Sequence, residues 1–262
     1  MAFNKVVAVL TVGLAAVHGA VPTIPGFSLT WSDDFVGSAN SLPNTGNWII
    51  DTGTSYPGGP ANWGTGEIQT YTSSVNNLRI NGNGALQITA IKASSGSWTS
   101  ARIESQRGDF MAQAGGKMRI QASLNLPVVG SNGIGYWPAF WTLGNAYRGN
   151  YWNWPAIGEF DIMENVNGIN RVWGVMHCGV NPGGPCKETD GLVGSRECPN
   201  TACQGNFHTY TLEVDRTAEL EAVRWFVDGI LFWQVVETDL PADVWTQAVH
   251  SPHFILLNFP LA

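Results

Sequence analysis

The stretch Gly158-Glu159-Phe160-Asp161-Ile162-Met163-Glu164 places three carboxyl groups among apolar residues within seven positions. Ionised side chains crowded in this way repel one another and raise each other's pKa. A site that keeps them together therefore holds one carboxyl protonated and another ionised at the same pH, which general acid and nucleophilic catalysis both need. The apolar flanks favour a β-strand that packs on a core.

The spacing of the three acids predicts an irregularity in that strand. Strand side chains alternate between two faces, so Glu159 and Asp161 share a face while Glu164, five positions from Glu159, would lie on the other. A β-bulge in which Ile162 and Met163 share one pleat position returns Glu164 to the face of Glu159. Four strand steps then separate the two glutamate Cα atoms by ~13 Å, and the side chains leave about 5 Å between carboxyl groups. Such a distance is typical of a retaining glycosidase.

Calcium binding is the alternative reading of the same acids. A calcium loop presents Asp, Asn and Gly ligands in a turn, whereas Ile157, Phe160 and Val166 around this segment favour a buried strand. We therefore predict no metal at the carboxylates, and the sequence leaves a structural calcium elsewhere open.

Five segments together resemble glycoside hydrolase family 16, and they follow the order of that family. They are Trp63 to Tyr71, Thr99 to Glu104, Tyr136 to Trp141, Gly158 to Glu164 and Phe207 to Tyr210. The resemblance extends from about Phe27 to Asn258 and is greatest with fungal laminarinase-like members. It implies an all-β fold, a concanavalin A-like β-jelly-roll sandwich of two curved antiparallel sheets.

The resemblance also implies a role for each acid. Glu159 matches the nucleophile, Asp161 the assisting residue and Glu164 the acid/base. The function it implies is that of a secreted, retaining endo-β-glucanase acting on β-1,3 or mixed β-1,3/1,4 glucans without a cofactor. Two alternatives stay open: a cell-wall glucan transglycosylase, and a catalytically silent glucan-binding protein, because this architecture also serves lectins.

Candidate substrate-binding residues come from the same segments and from the chemistry of sugars. Sugar rings pack their C–H faces on aromatic planes, and this chain has twelve tryptophans. A histidine after the acidic strand is expected to hydrogen-bond the catalytic acids. The candidates are Trp63, Glu67, Arg102, Trp137, Trp141 and His177.

The N-terminal segment and the length of the chain predict one secreted domain. Residues 1–20 resemble a secretory signal peptide, with Lys5 before the apolar run from Val6 to Val17. Residues 21–262 then form a single catalytic domain. A formal net charge of −7 argues against nucleic acid as a partner, and no stretch is a good candidate for a membrane anchor. We expect a secreted monomer that binds a neutral β-glucan.

The four cysteines fall within 26 positions and allow three pairings. We favour Cys178 with Cys186 and Cys198 with Cys203, because sequential pairs close small loops without crossing, and because a secreted protein favours disulfides. A zinc site is the alternative, but the spacing lacks the short ligand pairs of common zinc modules.

The segment His253 to Asn258 resembles the penultimate strand of the family. Family members continue through a glycine-rich loop into a closing strand, whereas this sequence ends at Ala262. We therefore expect the closing C-terminal strand to be missing, which would leave ladder hydrogen bonds unpaired.

Overall fold

The computed structural model describes residues 21–130 and 133–262. The predicted signal peptide lies outside these residues. Within them, antiparallel strands form two main sheets that pack against each other, as the sequence predicts. The larger sheet has seven strands, in the spatial order β1 (Trp48–Asp51), β7 (Arg102–Ser105), β16 (His253–Asn258), β9 (Ala139–Gly144), β10 (Glu159–Glu164), β11 (Val172–His177) and β12 (Leu192–Arg196).

The second main sheet has four strands in the described residues. Their spatial order is β15 (Ile230–Val236), β14 (Ala222–Val227), β13 (Phe207–Asp215) and β8 (Lys117–Asn125). Strand β8 pairs with β13 along nine residues, and no other described strand lies beside it. The expectation of a missing closing strand stays a prediction.

Smaller elements complete the described fold. Two small sheets contain β2 (Gln69–Tyr71), β6 (Trp98–Ser100) and β5 (Ile91–Lys92), and β3 (Leu78–Ile80) with β4 (Leu86–Ile88). Strands β2 and β6 run parallel. Three 3₁₀ turns lie at Ala61–Gly64, Asn145–Tyr147 and Glu237–Asp239, and the helix α1 spans Ala242–Val249. No helix of the described residues is long and apolar enough to cross a membrane.

The core between the main sheets is built from alternating strand residues. Phe160 and Met176 of the larger sheet and Tyr210, Leu212 and Trp225 of the smaller one are all buried there. Complete burial of side chains of this size stabilises the fold by roughly 1.5–3 kcal/mol each. One face of the larger sheet thus packs against the core, and the acids of β10 lie on the other face.

Two disulfides join the cysteine pairs that the sequence favours. Cys178 bonds to Cys186 with Cα atoms 5.4 Å apart, and Cys198 bonds to Cys203 at 5.1 Å. Both bridges close short loops after strands β11 and β12. The first loop returns the chain to the edge of the sheet face that carries the acids of β10.

Candidate active site

Strand β10 carries the predicted bulge. Against β9, Asp161 pairs with Trp141 and Met163 pairs with Phe140, so Ile162 has no partner of its own. Against β11, the register also shifts between Asp161 and Glu164. The extra residue turns Glu164 to the face of Asp161, and the three acids of β10 line one cleft.

Gly158 fixes the point at which β10 begins. Its φ is +79°, a conformation that side-chain-bearing residues rarely adopt. A Cβ at this position would also lie 2.8 Å from Cα of Ala248 in helix α1. Only glycine therefore allows the helix to pack against the start of the acidic strand.

The cleft has a volume of about 640 Å³ and is walled largely by aromatic rings. The aromatic residues that line it are Tyr56, Trp63, Trp137, Trp141, Tyr147, Tyr151, Trp152 and Trp154. A cleft with apolar walls and a few convergent polar groups is the usual form of a small-ligand or sugar site. Five carboxyl groups are among the polar groups here.

Glu159 lies at one end of the acidic row. Its Oε2 accepts a hydrogen bond of 3.0 Å from Nε1 of Trp154. Burial raises the pKa of Glu159, while the charge of His177 when it is protonated and the Trp154 hydrogen bond act against that rise. Both contacts favour the ionised form that a nucleophile needs.

Glu164 lies at the other end and has a higher proton affinity than an ordinary glutamate. Burial raises its pKa to about 7, although a hydrogen bond of 2.5 Å from Nε1 of Trp137 acts in the opposite direction. Such a carboxyl is protonated below neutral pH and can still give up its proton. These are the properties of a general acid that later serves as a base.

Asp161 lies between the two glutamates and is only 4% exposed. Burial raises its pKa well above the ordinary value, and the charges of Glu159 and Glu164 raise it further. Its backbone oxygen accepts a hydrogen bond of 2.8 Å from Trp225. Its Oδ2 is buried without a hydrogen-bond partner in the described residues, so the surroundings of Asp161 favour its protonated form.

His177 lies beside the acids, and its predicted hydrogen bond to them stays a prediction. It pairs with Glu159 in the register of β11 with β10, and its Nε2 lies 3.4 Å from Oδ2 of Asp161. Its Nδ1 lies 2.7 Å from Oε2 of Glu188. One imidazole therefore joins the acidic row to a fourth carboxylate.

Comparison with known proteins identifies the family. The model of the XgeA-like catalytic domain of glycoside hydrolase family 16 matches residues 69–212, which is more than half of the chain. The chain belongs to glycoside hydrolase family 16. Residues 69–212 contain the acidic strand and four of the six predicted substrate-binding residues, since only Trp63 and Glu67 precede them.

Relatives within the family cover most of this chain. A β-glucanase from Rhodothermus marinus is 31% identical over 251 residues, which are 89% of this chain and 75% of that protein. Glucan endo-1,3-β-glucosidase A1 from Niallia circulans is 30% identical over 227 residues, 82% of this chain. The match spans only 30% of the length of the Niallia protein.

Solved structures confirm the fold. The crystal structure of an endo-1,3-β-glucanase from Streptomyces sioyaensis has a TM-score of 0.90 and 52% identity, covering 92% of this chain and 87% of that one. The laminarinase from Rhodothermus marinus has a TM-score of 0.68 at 28% identity, covering 89% and 86%. The predicted family and all-β architecture are thus confirmed.

Two predicted substrate-binding residues lie in a buried polar layer of the family 16 cleft. Arg102 is 4% exposed and donates to Asp51 at 3.1 Å. Its guanidinium also lies over the rings of Trp63 and Trp141, at 4.6 and 5.0 Å. Arg102 touches the cleft, but its main contacts are to other side chains that it orients.

Glu67 is also hydrogen-bonded to neighbouring side chains. Its carboxylate accepts hydrogen bonds from Tyr71 at 2.6 Å, from Thr65 at 3.1 Å and from the Gln69 amide. It is 4% exposed and lines the cleft floor. Its contact with substrate stays a prediction, as does that of Arg102.

The three predicted tryptophans all line the cleft, in different ways. Trp141 is in β9 and donates to Asn258 at 2.9 Å. Trp137 precedes β9, which begins at Ala139. Trp63 is mostly buried, and its Nε1 has no hydrogen-bond partner in the part of the chain that the structure describes.

The sequence did not single out several residues of the site. Trp154 lies four residues before the acidic motif, and its position beside Glu159 could be suspected from that proximity. Tyr56 and Glu188 come from distant loops and give no local signal. Trp152 is exposed at the cleft rim, where its Nε1 donates to Gly58 O at 2.9 Å.

A cation could be held by part of the acidic cluster. The ligand atoms of Glu159, Asp161 and His177 lie within 4.8 Å of one another. Two of these groups already have other partners, Trp154 and Glu188. Coordination of a cation by Glu159 and His177 would therefore compete with these two hydrogen bonds.

Proposed function

We propose that the chain is a secreted, retaining endo-β-glucanase that hydrolyses β-1,3 linkages by double displacement. The observation that carries this proposal is the pair Glu159 and Glu164, which line one cleft in different hydrogen-bonding environments. A carboxylate and a carboxylic acid on the two sides of a glycosidic bond are the requirement of this chemistry.

The first displacement forms a covalent glycosyl-enzyme. The Glu159 carboxylate attacks the anomeric carbon, and the C–O bond to the leaving sugar breaks. Glu164 transfers its proton to the departing glycosidic oxygen. The raised pKa of Glu164 keeps that proton available up to about pH 7.

The second displacement releases the product. Glu164, now a carboxylate, takes a proton from water as the water oxygen attacks the anomeric carbon, and the bond to Glu159 breaks. Two inversions at the same carbon retain its β configuration. The enzyme returns to its starting protonation state.

Names of the relatives support the substrate class. Those from Streptomyces sioyaensis and Niallia circulans are named for β-1,3-glucan hydrolysis. A protein of Aspergillus niger, 25% identical over 67% of this chain, is named a probable endo-1,3(4)-β-glucanase. We therefore place β-1,3 glucans first and mixed-linkage β-1,3/1,4 glucans second.

Reducing-sugar release from laminarin and from barley β-glucan tests the proposal, with Glu159→Gln as the inactive control. We expect release from laminarin by the wild type and none by the variant. Chain transfer to an added oligosaccharide without reducing-sugar release would favour the transglycosylase instead. Binding of laminarin without any product would favour a glucan-binding protein.

A further inference from the structure

Glu188 is a fully buried carboxylate outside the acidic strand. Its side chain has no exposed area. Oε2 lies 2.7 Å from Nδ1 of His177, and Oε1 accepts a hydrogen bond of 2.9 Å from the backbone N–H of Cys178. Both oxygens are thus bound to consecutive residues at the end of β11, which fixes the carboxylate relative to the imidazole.

The backbone that carries Glu188 is also held firmly. Gly183 and Glu188 exchange two N–H···O hydrogen bonds, each of 2.6 Å. The disulfide between Cys178 and Cys186 closes the same loop. Because its carboxylate and its backbone are both hydrogen-bonded, Glu188 loses little conformational entropy when it orients a neighbouring side chain. Glu188 is therefore preorganised for that role.

This contact decides which imidazole nitrogen carries a hydrogen. A carboxylate only accepts hydrogen bonds, so the 2.7 Å contact to Glu188 requires a hydrogen on Nδ1 of His177. Nε2 is then left to face Oδ2 of Asp161 at 3.4 Å. Gly191 packs closely against the ring, because a Cβ at this position would lie 2.9 Å from Cε1.

We propose that Glu188 is a positioning residue that keeps the hydrogen of His177 on Nδ1, so that Nε2 exchanges a proton with Asp161 during the reaction. The inference rests on the proposed function, because Asp161 matters only if Glu159 is the nucleophile. The proton moves between Oδ2 of Asp161 and Nε2 of His177, and the net charge of that pair does not change.

The charge on Glu159 acts on both groups of this pair. While Glu159 is ionised, its negative charge raises the pKa of Asp161 and that of His177. When Glu159 becomes an ester in the glycosyl-enzyme, that charge is lost and both pKa values fall, while the Glu188 hydrogen bond continues to favour the protonated imidazole. Asp161 then ionises and His177 becomes an imidazolium whose positive charge Glu188 balances.

The charged groups around His177 are consistent with this role. Glu159, Asp161 and Glu164 face it from β10, and Glu188 faces it from the loop, while β12 begins beyond the uncharged Gly191. Burial lowers the pKa of His177, but the Glu188 hydrogen bond and the charges of Glu159 and Glu188 outweigh it and raise the pKa overall.

The test is ¹⁵N NMR of the His177 imidazole in the full chain without substrate, in the wild type and in Glu188→Gln. We expect hydrogen on Nδ1 in the neutral wild-type imidazole, and a pKa that falls by about one unit or more in the variant, because one adjacent negative charge is removed. Asp190→Asn is the matched control. It removes one negative charge two residues after Glu188 but removes no hydrogen bond to the imidazole, so the tautomer of His177 should stay unchanged.

Kinetics on laminarin complete the test. Glu188→Gln should lower kcat by about ten-fold or more with KM changed less than about two-fold, since positioning acts on the reacting groups. An unchanged kcat in a folded variant would overturn the proposal. A neutral wild-type imidazole with its hydrogen on Nε2 would overturn it even if the variant failed to fold. A wild type with the expected tautomer but no activity would overturn the proposed function alone.

Discussion

Trp137 donates a hydrogen bond of 2.5 Å from its Nε1 to Oε1 of Glu164, across 27 positions of the chain. The bond stabilises the ionised form of Glu164 and so opposes the effect of burial on its pKa. A general acid needs a pKa near the working pH. The balance between burial and this one N–H holds the carboxyl at a pKa of about 7.

Replacing Trp137 with Phe should move the alkaline limb of kcat/KM to higher pH. The wild-type limb is expected near pH 7, where Glu164 loses its proton. Loss of a hydrogen bond to a charged group removes about 1.5 kcal/mol or more, so the pKa should rise by about one unit. pH–rate profiles on laminarin measure the shift.

Trp141→Phe is the matched control for that shift. It also removes an indole N–H from the cleft, but this N–H bonds to Asn258 rather than to an acid. Its alkaline limb should stay within about 0.3 units of the wild type. Equal shifts in the two variants would show that the Trp137 hydrogen bond does not set the pKa of Glu164.

Glu159→Ala should lower kcat on laminarin by about four orders of magnitude, because the covalent step loses its nucleophile. Azide added to this variant together with an aryl β-laminaribioside as substrate should restore turnover and yield the α-glycosyl azide. Azide takes the place of the carboxylate in one displacement, and one displacement inverts the anomeric carbon. Formation of the β-azide would instead assign Glu159 to the acid/base role.

Glu164→Gln should stabilise the fold at alkaline pH. Because the pKa of Glu164 is raised in the folded state, the folded protein has a stability contribution below about pH 4.5 that it loses as pH rises through about 7. Glutamine is neutral at every pH and avoids that loss. At pH 8 the variant should gain roughly 1–3 kcal/mol in the free energy of unfolding.

Urea unfolding at pH 4 and at pH 8 measures that gain. The difference between variant and wild type should be small at pH 4 and should grow by pH 8. A difference of the same size at both pH values would mean that lost packing or hydrogen bonding, and not the ionisation of Glu164, controls the result.

Gly158→Ala should destabilise the protein by about 2–4 kcal/mol, because a positive φ and a clash with Ala248 act together. Gly149→Ala is the matched control. Gly149 has a φ of +82° but nothing within 4 Å of its added Cβ, so it should cost only about 1 kcal/mol. Thermal or urea unfolding compares the two, and equal losses would refute the close packing of helix α1 on strand β10.

The acidic strand was predictable because its information is local. Period-two alternation, the odd offset between Glu159 and Glu164, and the need for a shared face together require a bulge, and the register shows it at Ile162. The disulfides were predictable for the same reason, since each closes a loop of at most eight positions.

Contacts between residues far apart in the chain could not be predicted from local sequence patterns. Glu188 meets His177 only because a disulfide loop folds back on β11. Likewise, the family segment of Arg102 gave no sign of its buried contacts with Asp51 and three aromatic rings. Helix α1 is short, with eight residues, and its sequence gave no long helical period.

The configuration of the first product tests the central claim most directly. ¹H NMR of laminarin digestion, recorded in the first minutes before mutarotation, separates the α and β anomeric protons of the newly formed reducing ends. Double displacement by Glu159 and Glu164 predicts that the β signal appears first and that the α signal grows later. An initial α signal would contradict the account, because it would require one direct attack by water.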